Sequence, residues 1–130
     1  QNVSSALRET FGQNLLAKVV GEDVRNDTNK IVIVEGIRRP ADIELLSKIP
    51  EFRLAYLTAD IQIRYKRIIK RNENEDDKTK TFAQFAKDNQ AEAELLIHKI
   101  GQTAEIKIDN NDSFAELYAQ IDKIMEKELN

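Results

Sequence analysis

Residues 52–71 read FRLAYLTADIQIRYKRIIKR, and this stretch decides the fold. Its first part, residues 52–57, combines aromatic and aliphatic side chains and predicts a β-strand. Asp60 is a residue type that caps helices well. The apolar residues that follow recur at helical spacing and predict an amphipathic helix: Ile61, Tyr65, Ile68 and Ile69. A strand followed closely by a helix is the repeating unit of a parallel α/β sheet.

The chain before this stretch predicts a further strand and two helical regions. Residues 31–34, Ile-Val-Ile-Val, form a continuous β-branched run, which is typical of a strand buried on both faces. Pro40 suits the first position of a helix. Apolar residues at three- and four-residue steps predict another helix over about residues 1–20, broken near Gly12.

The chain after this stretch continues the alternation of helices and strands. Residues 72–80 form a polar, acidic loop. A capping-box pair, Thr81 with Gln84, predicts a helix that continues to about Lys99 with one break. Residues 106–108 predict a third strand, and a second capping-box pair opens a C-terminal helix: Ser113 and Glu116. We therefore predict a single domain, residues 1–130, of three-layer α/β class, with helices on both faces of a parallel sheet.

Composition excludes several classes of protein. Hydrophobic residues make up 41% of the chain, but no apolar run approaches the roughly 20 residues that a membrane span needs. No secretion signal is recognisable, and the absence of cysteine agrees with a cytoplasmic protein. The single histidine, His98, excludes a His-rich metal site. A net charge of −3 gives no reason to expect a nucleic-acid partner. Because the first residue is Gln1 rather than Met, we expect the chain to lack its natural start.

The residues after each predicted strand are the first candidates for a site, since parallel sheets bind ligands beyond the carboxyl ends of their strands. Glu35 follows the 31–34 run and could hold a metal ion or orient a nucleophile. Arg38 and Arg39 offer forked donors that match phosphate oxygens. The simpler interpretation is a loop with a surface salt bridge.

The helix after the second strand carries five cations within eight residues: Arg64, Lys66, Arg67, Lys70 and Arg71. The three arginines are three and four residues apart and therefore share one helical face. Such a face suits a polyphosphate, although charge runs are more often solvated. Arg8 on the first helix could reach a phosphate, but spacing alone favours a solvated side chain. No Gly-x-x-x-x-Gly-Lys-Ser/Thr loop occurs in the sequence.

Taken as a set, residues 1–129 resemble the part of a dephospho-CoA-kinase-like or deoxynucleotide-kinase-like protein that follows its P-loop. The P-loop nucleotide-kinase superfamily contains both. The resemblance rests on the order of four segments: a substrate-side helix over about residues 1–20, a strand with Glu-Gly-Ile-Arg at 35–38, a lid region over about 64–90, and a last strand and closing helix from 106. Asp is the commoner acid at the position of Glu35.

The resemblance implies a P-loop NTPase-like fold without its first strand and P-loop. It also implies a kinase that transfers the terminal phosphoryl group of ATP, with Mg²⁺, to a nucleotide-like acceptor. By this resemblance, substrate is bound by Arg8, Arg38 and Arg39. The donor phosphates are clamped by Arg64, Arg67 and Arg71, and Arg64 and Arg71 also stabilise transition-state charge. Glu35 acts at the metal or at the acceptor hydroxyl. We expect this chain alone to be inactive, and its association with a second copy or a preceding segment stays open.

Two other classes remain open. The strand ending in Glu35-Gly36 resembles a topoisomerase–primase domain, but that fold also needs an Asp-x-Asp, and the candidate at residues 60–62 is Asp-Ile-Gln. The other class is a non-catalytic kinase remnant that binds a nucleotide without turnover.

Overall fold

The computed structural model describes residues 3–12, 14–71 and 79–129, without the side chains of residues 4, 5, 8, 92 and 93. The chain forms two compact units, Gln1–Arg53 and Leu54–Asn130. The single domain inferred from the sequence stays a prediction. Among the helices of the described residues, none combines the length and the apolar character that crossing a bilayer requires.

The first unit is helical in its described part. Its α-helices are α1 (Val3–Phe11), α2 (Leu15–Asn26) and α3 (Pro40–Ile43), followed by a 3₁₀ turn at Leu46–Lys48. The predicted break lies at Gly12, whose φ of 100° favours glycine. α2 runs past Gly21 to Asn26, further than the sequence predicted. Gly21 is buried, and a Cβ there would lie at an ordinary contact distance of 3.5 Å from the Leu45 Cβ.

The strand predicted at residues 31–34 is wrong for this structure. The run belongs to no strand, and the part of the first unit that the structure describes contains no sheet with which it could pair. The exposed fraction is 85% at Ile33 and about 40% at the two residues before it. A β-branched run favours an extended backbone, but a strand also needs a neighbour for its N–H and C=O groups.

The second unit contains the α/β part of the chain. It runs β1 (Ala55–Thr58), α4 (Ile61–Arg71), α5 (Phe82–Asp88), α6 (Glu92–Gln102), β2 (Ile106–Asp109) and α7 (Phe114–Leu129). The strands are parallel, with Ala55 opposite Ile106 and Thr58 opposite Asp109. The α/β class and the parallel pairing are therefore confirmed. The sheet of the described residues has two strands where the sequence predicted three.

Helices pack on both strands of this small sheet. Gly101 of α6 lies against the ring of Tyr56 on β1, where a Cβ would come within 2.6 Å of three ring carbons. Gln120 of α7 accepts a hydrogen bond from the backbone N–H of Asp109 and donates one to its carbonyl, at 2.9 and 2.8 Å. α6 therefore packs against β1, and α7 is hydrogen-bonded to the last residue of β2.

Both capping boxes predicted from the sequence are confirmed. The Thr81 hydroxyl accepts a hydrogen bond from the Gln84 N–H at 3.2 Å, while Gln84 Oε1 accepts one from the Thr81 N–H at 2.8 Å. Ser113 and Glu116 make the same reciprocal pair at the start of α7. Local sequence therefore sets where α5 and α7 begin.

Candidate functional site

A groove of about 500 Å³ lies beyond the carboxyl end of β1, within the second unit. Its walls come from the end of β1, one face of α4, the region around α5, the start of α6 and the turn after β2. The lining residues are Leu57, Thr58, Ala59, Arg64, Arg67, Ile68, Arg71, Lys80, Phe85, Asp88, Asn89, Glu94 and Asn110. We call this cavity the arginine groove. Its place at a strand terminus is where α/β sheets bind ligands.

The described residues that line the arginine groove carry a net positive charge. Arg64, Arg67 and Arg71 of α4 line it together, as their spacing predicts. Lys80 adds a fourth cation, and the only carboxylates among the described lining residues are Asp88 and Glu94. Four positive charges against two negative ones favour an anionic ligand.

Arg64 is held in place by its surroundings. Its Nη2 donates a hydrogen bond to Asn89 Oδ1 at 2.7 Å, and its Cζ lies 5.9 Å from the centre of the Phe85 ring. In the described part of the chain its Nε–H is buried and meets no acceptor. Because the Arg64 guanidinium is already held by an amide and a ring, it has little conformational freedom left to lose when a ligand binds. This favours tight recognition. Asn89 could not be predicted from the sequence, because no local pattern links it to Arg64.

Arg67 directs its donors toward the turn after β2. Its Nη1 donates to the Asn110 carbonyl at 2.5 Å, and its Nη2 donates to the Asp112 carbonyl at 3.1 Å and, more weakly, to the Asn111 carbonyl at 3.5 Å. These bonds cross from α4 to residues distant in sequence. Arg67 thus lines the groove and also binds the turn after β2, which contributes Asn110 to the groove.

Lys80 lies two residues before the start of α5. Its Nζ lies 3.1 Å from Asp88 Oδ2, and its carbonyl accepts a hydrogen bond from the Tyr65 hydroxyl at 2.9 Å. Tyr65 also contacts the rings of Phe82 and Phe85, with centroids 5.4 and 5.7 Å away. This aromatic cluster holds α5 against α4 and so keeps Lys80 at the groove.

The remaining predicted site residues belong to the first unit. Glu35, Arg38 and Arg39 are exposed. The backbone N–H groups of Arg38 and Arg39 both donate to Asp42 Oδ2, at 3.0 and 2.9 Å, so Asp42 fixes the loop that carries the two arginines. Gly36 has a φ of 80°, a conformation that other residues rarely adopt. The Arg8 side chain lies outside the described residues, as does most of the acidic loop.

The His98 ring contacts Tyr56 of β1 and Gln102 of α6. Its Nδ1 lies 3.3 Å from the Tyr56 hydroxyl and its Nε2 lies 3.3 Å from the Gln102 amide nitrogen. The histidine therefore joins α6 to β1 beside Gly101. Across the described residues, no group of three or more His, Cys, Asp or Glu side chains is arranged to hold a metal ion.

Comparison with known proteins relates the chain to archaeal proteins named UPF0200. It is 29% identical to one from Pyrococcus abyssi over 98% of this chain and 70% of that protein. It is 27% identical to one from Methanothermobacter thermautotrophicus over 93% of this chain and 63% of that protein. No protein-family model matches the chain. The chain thus spans roughly two thirds of the length of these curated relatives, to which it is similar along nearly all of its own length.

Proposed function

We propose that this chain carries the nucleotide-handling part of a phosphotransferase of the P-loop-kinase type, and that the arginine groove binds the phosphate groups of ATP. The observation that carries the proposal is the convergence of Arg64, Arg67, Arg71 and Lys80 on one cavity at the carboxyl end of a parallel strand. Cations at that position, with a nearby aromatic ring and amides, suit a polyphosphate better than they suit an uncharged ligand.

The chemistry of phosphoryl transfer fits this set of residues. The reaction needs positioning and stabilisation of charge on the transferred group more than covalent chemistry. In this proposal Arg64 and Arg71 bind the donor phosphates and stabilise that charge. Arg38 and Arg39, with Arg8, take the phosphate of a nucleotide-like acceptor, and Glu35 acts at the acceptor hydroxyl or at Mg²⁺. Mg²⁺ in kinases is held by one or two carboxylates together with substrate phosphates, so a single carboxylate fits.

The sequence contains no Gly-x-x-x-x-Gly-Lys-Ser/Thr loop, which is the part that cradles a triphosphate in this class of enzyme. We therefore expect these 130 residues to bind polyphosphate without turning ATP over. Binding without turnover is also what a non-catalytic remnant would show.

The test compares two double variants of α4 by titration calorimetry with inorganic tripolyphosphate and with MgATP. Arg64→Ala with Arg71→Ala removes two cations from the arginine groove. Lys66→Ala with Lys70→Ala removes the same charge from the same helix, at positions that do not line the groove. We expect the arginine pair to weaken binding at least tenfold, about 1.4 kcal/mol, and the lysine pair to change it far less. Equal losses in both double variants would mean that bulk charge, and no specific site, attracts the anion.

A screen of ATP consumption addresses transfer itself. Dephospho-CoA, nucleoside monophosphates and deoxynucleotides are the acceptors to test, first with this chain and then with a complete UPF0200 protein such as that of Pyrococcus abyssi. Turnover by the complete relative with one acceptor supports a kinase. Tight binding by both proteins without turnover of any acceptor favours the non-catalytic remnant.

A further inference from the structure

The three arginines of α4 are not equivalent in the structure. Arg64 is held by Asn89 and Phe85, on the α5 side of the arginine groove. Arg67 points the other way and gives its N–H donors to three successive backbone carbonyls, those of residues 110–112. A guanidinium has five donors in a rigid fork and no acceptor. Three of the five N–H donors are committed to these carbonyls and are not available to a phosphate at the same time.

A second link joins the same two segments. The side-chain oxygen of Asn111 accepts a hydrogen bond from the Asp60 N–H at 2.7 Å, just before α4 begins. The Asn111 N–H in turn donates to Asp109 Oδ1 at 2.9 Å, which shapes the turn. The turn after β2 is therefore bound both to Asp60, just before α4, and to Arg67 within α4, and Asn110 of this turn lines the groove.

We propose that Arg67 is a positioning residue, which holds the turn of residues 109–112 against α4 so that Asn110 stays fixed as one wall of the arginine groove. The phosphates of the ligand are then bound by Arg64, Arg71 and Lys80. This assignment rests on the proposed function, because it concerns the same groove. It differs from the role implied by the sequence, in which Arg67 clamps the donor phosphates directly.

The two possible roles of Arg67, contact with the phosphates and positioning of the turn, predict that the binding affinity depends differently on salt concentration. Removing a cation that contacts the ligand lowers both the affinity and its sensitivity to ionic strength, since screening acts on the charges that face each other. Removing a cation that lines the groove without contacting the ligand lowers that sensitivity less, and removing an uncharged residue that holds the groove wall leaves it almost unchanged. Asn111 offers a matched comparison, because it makes the second link and carries no charge.

The experiment measures tripolyphosphate binding over a range of salt concentrations for Arg64→Ala, Arg67→Ala, Asn111→Ala and the double variant of residues 67 and 111. We expect R67A and N111A each to weaken binding by roughly fivefold to tenfold, the scale of one lost hydrogen bond. N111A should keep the salt dependence of the unaltered chain, and R67A should reduce it less than R64A does. Because the two links share one turn, the double variant should lose less than the product of the single losses.

Amide hydrogen exchange gives a readout that needs no ligand. The N–H groups of Asn110 and Asn111 are bound to the Thr58 carbonyl and to Asp109 in the intact turn. R67A should speed their exchange, and R64A should not. A salt dependence that falls in R67A as it does in R64A, or unchanged exchange in R67A, overturns the positioning role. If the unaltered chain binds no tripolyphosphate while R67A still loosens the turn, the proposed function fails and Arg67 is reduced to a structural residue.

Discussion

Residue 101 is a place where the absence of a side chain sets the distance between a helix and a strand. α6 passes so close to the Tyr56 ring that a Cβ on Gly101 would lie 2.5–2.6 Å from three ring carbons. These atoms are near the base of the tyrosine, so the ring cannot swing clear without a change of rotamer. Gly101 therefore allows α6 to approach β1 so closely that His98 Nδ1 lies 3.3 Å from the Tyr56 hydroxyl.

We predict that Gly101→Ala lowers the free energy of unfolding by about 1–3 kcal/mol, the usual cost of overpacking a tight interior contact. Its matched control is Gly21→Ala, where the added methyl would meet Leu45 Cβ at an ordinary 3.5 Å. Alanine gains up to roughly 0.5–1 kcal/mol in helix propensity at Gly21 in the middle of α2, and less at Gly101, the penultimate residue of α6. Urea denaturation of both variants measures the difference. Similar midpoints for the two would show that Tyr56 does not restrict position 101.

At the arginine groove, local pattern predicts the residues but not their partners. The steps of three and four between Arg64, Arg67 and Arg71 predict a shared face, and the three line one cavity. Spacing along a helix says nothing of what lies opposite it. Asn89 and the carbonyls after β2 reach α4 only through tertiary packing, so their contacts with the arginines could not be predicted from the sequence.

At the scale of elements, the features that depend on local sequence were predicted, and those that depend on tertiary packing were not. The helices and both capping boxes are predicted well, because periodicity and caps are local. β1 and β2 are predicted by short apolar runs, and their parallel pairing follows from the helices between them. Residues 31–34 have a stronger β-branched run than either strand, yet they pair with nothing in the described structure. Strand formation depends on a distant partner that composition does not reveal.

Because residues 31–34 form no strand, we expect substitutions at exposed and at buried apolar residues of the first unit to change the free energy of unfolding by different amounts. Ile33 is 85% exposed, so Ile33→Thr should change the free energy of unfolding by no more than about 0.5 kcal/mol. Leu46 is 3% exposed, so Leu46→Ala should cost about 2–5 kcal/mol. Chemical denaturation followed by circular dichroism compares the two. A loss above about 1.5 kcal/mol in I33T would mean that residues 31–34 are buried in a strand, as the sequence predicted.

At the scale of the whole molecule, the chain divides its candidate residues between two compact units. The sheet and every residue lining the arginine groove lie in the second, Leu54–Asn130. The residues implied in binding the acceptor, Arg38 and Arg39, lie in the first, Gln1–Arg53. Binding of an inorganic polyphosphate is therefore expected to need only the second unit, whereas in the proposed function the acceptor would be selected by residues of the first.

We predict that the fragment Leu54–Asn130 folds and binds tripolyphosphate within about threefold, or roughly 0.7 kcal/mol, of the whole chain. The physical reason is that the groove walls are joined to one another within this unit, by Asn89 to Arg64 and by Arg67 to the turn after β2. Far-ultraviolet circular dichroism reports folding, and titration calorimetry reports binding, with the same fragment carrying Arg64→Ala as its control. A folded fragment that binds more than tenfold more weakly than the whole chain would assign part of the anion's binding to the first unit. Arg38→Ala and Arg39→Ala in the whole chain would then show whether these arginines account for the difference.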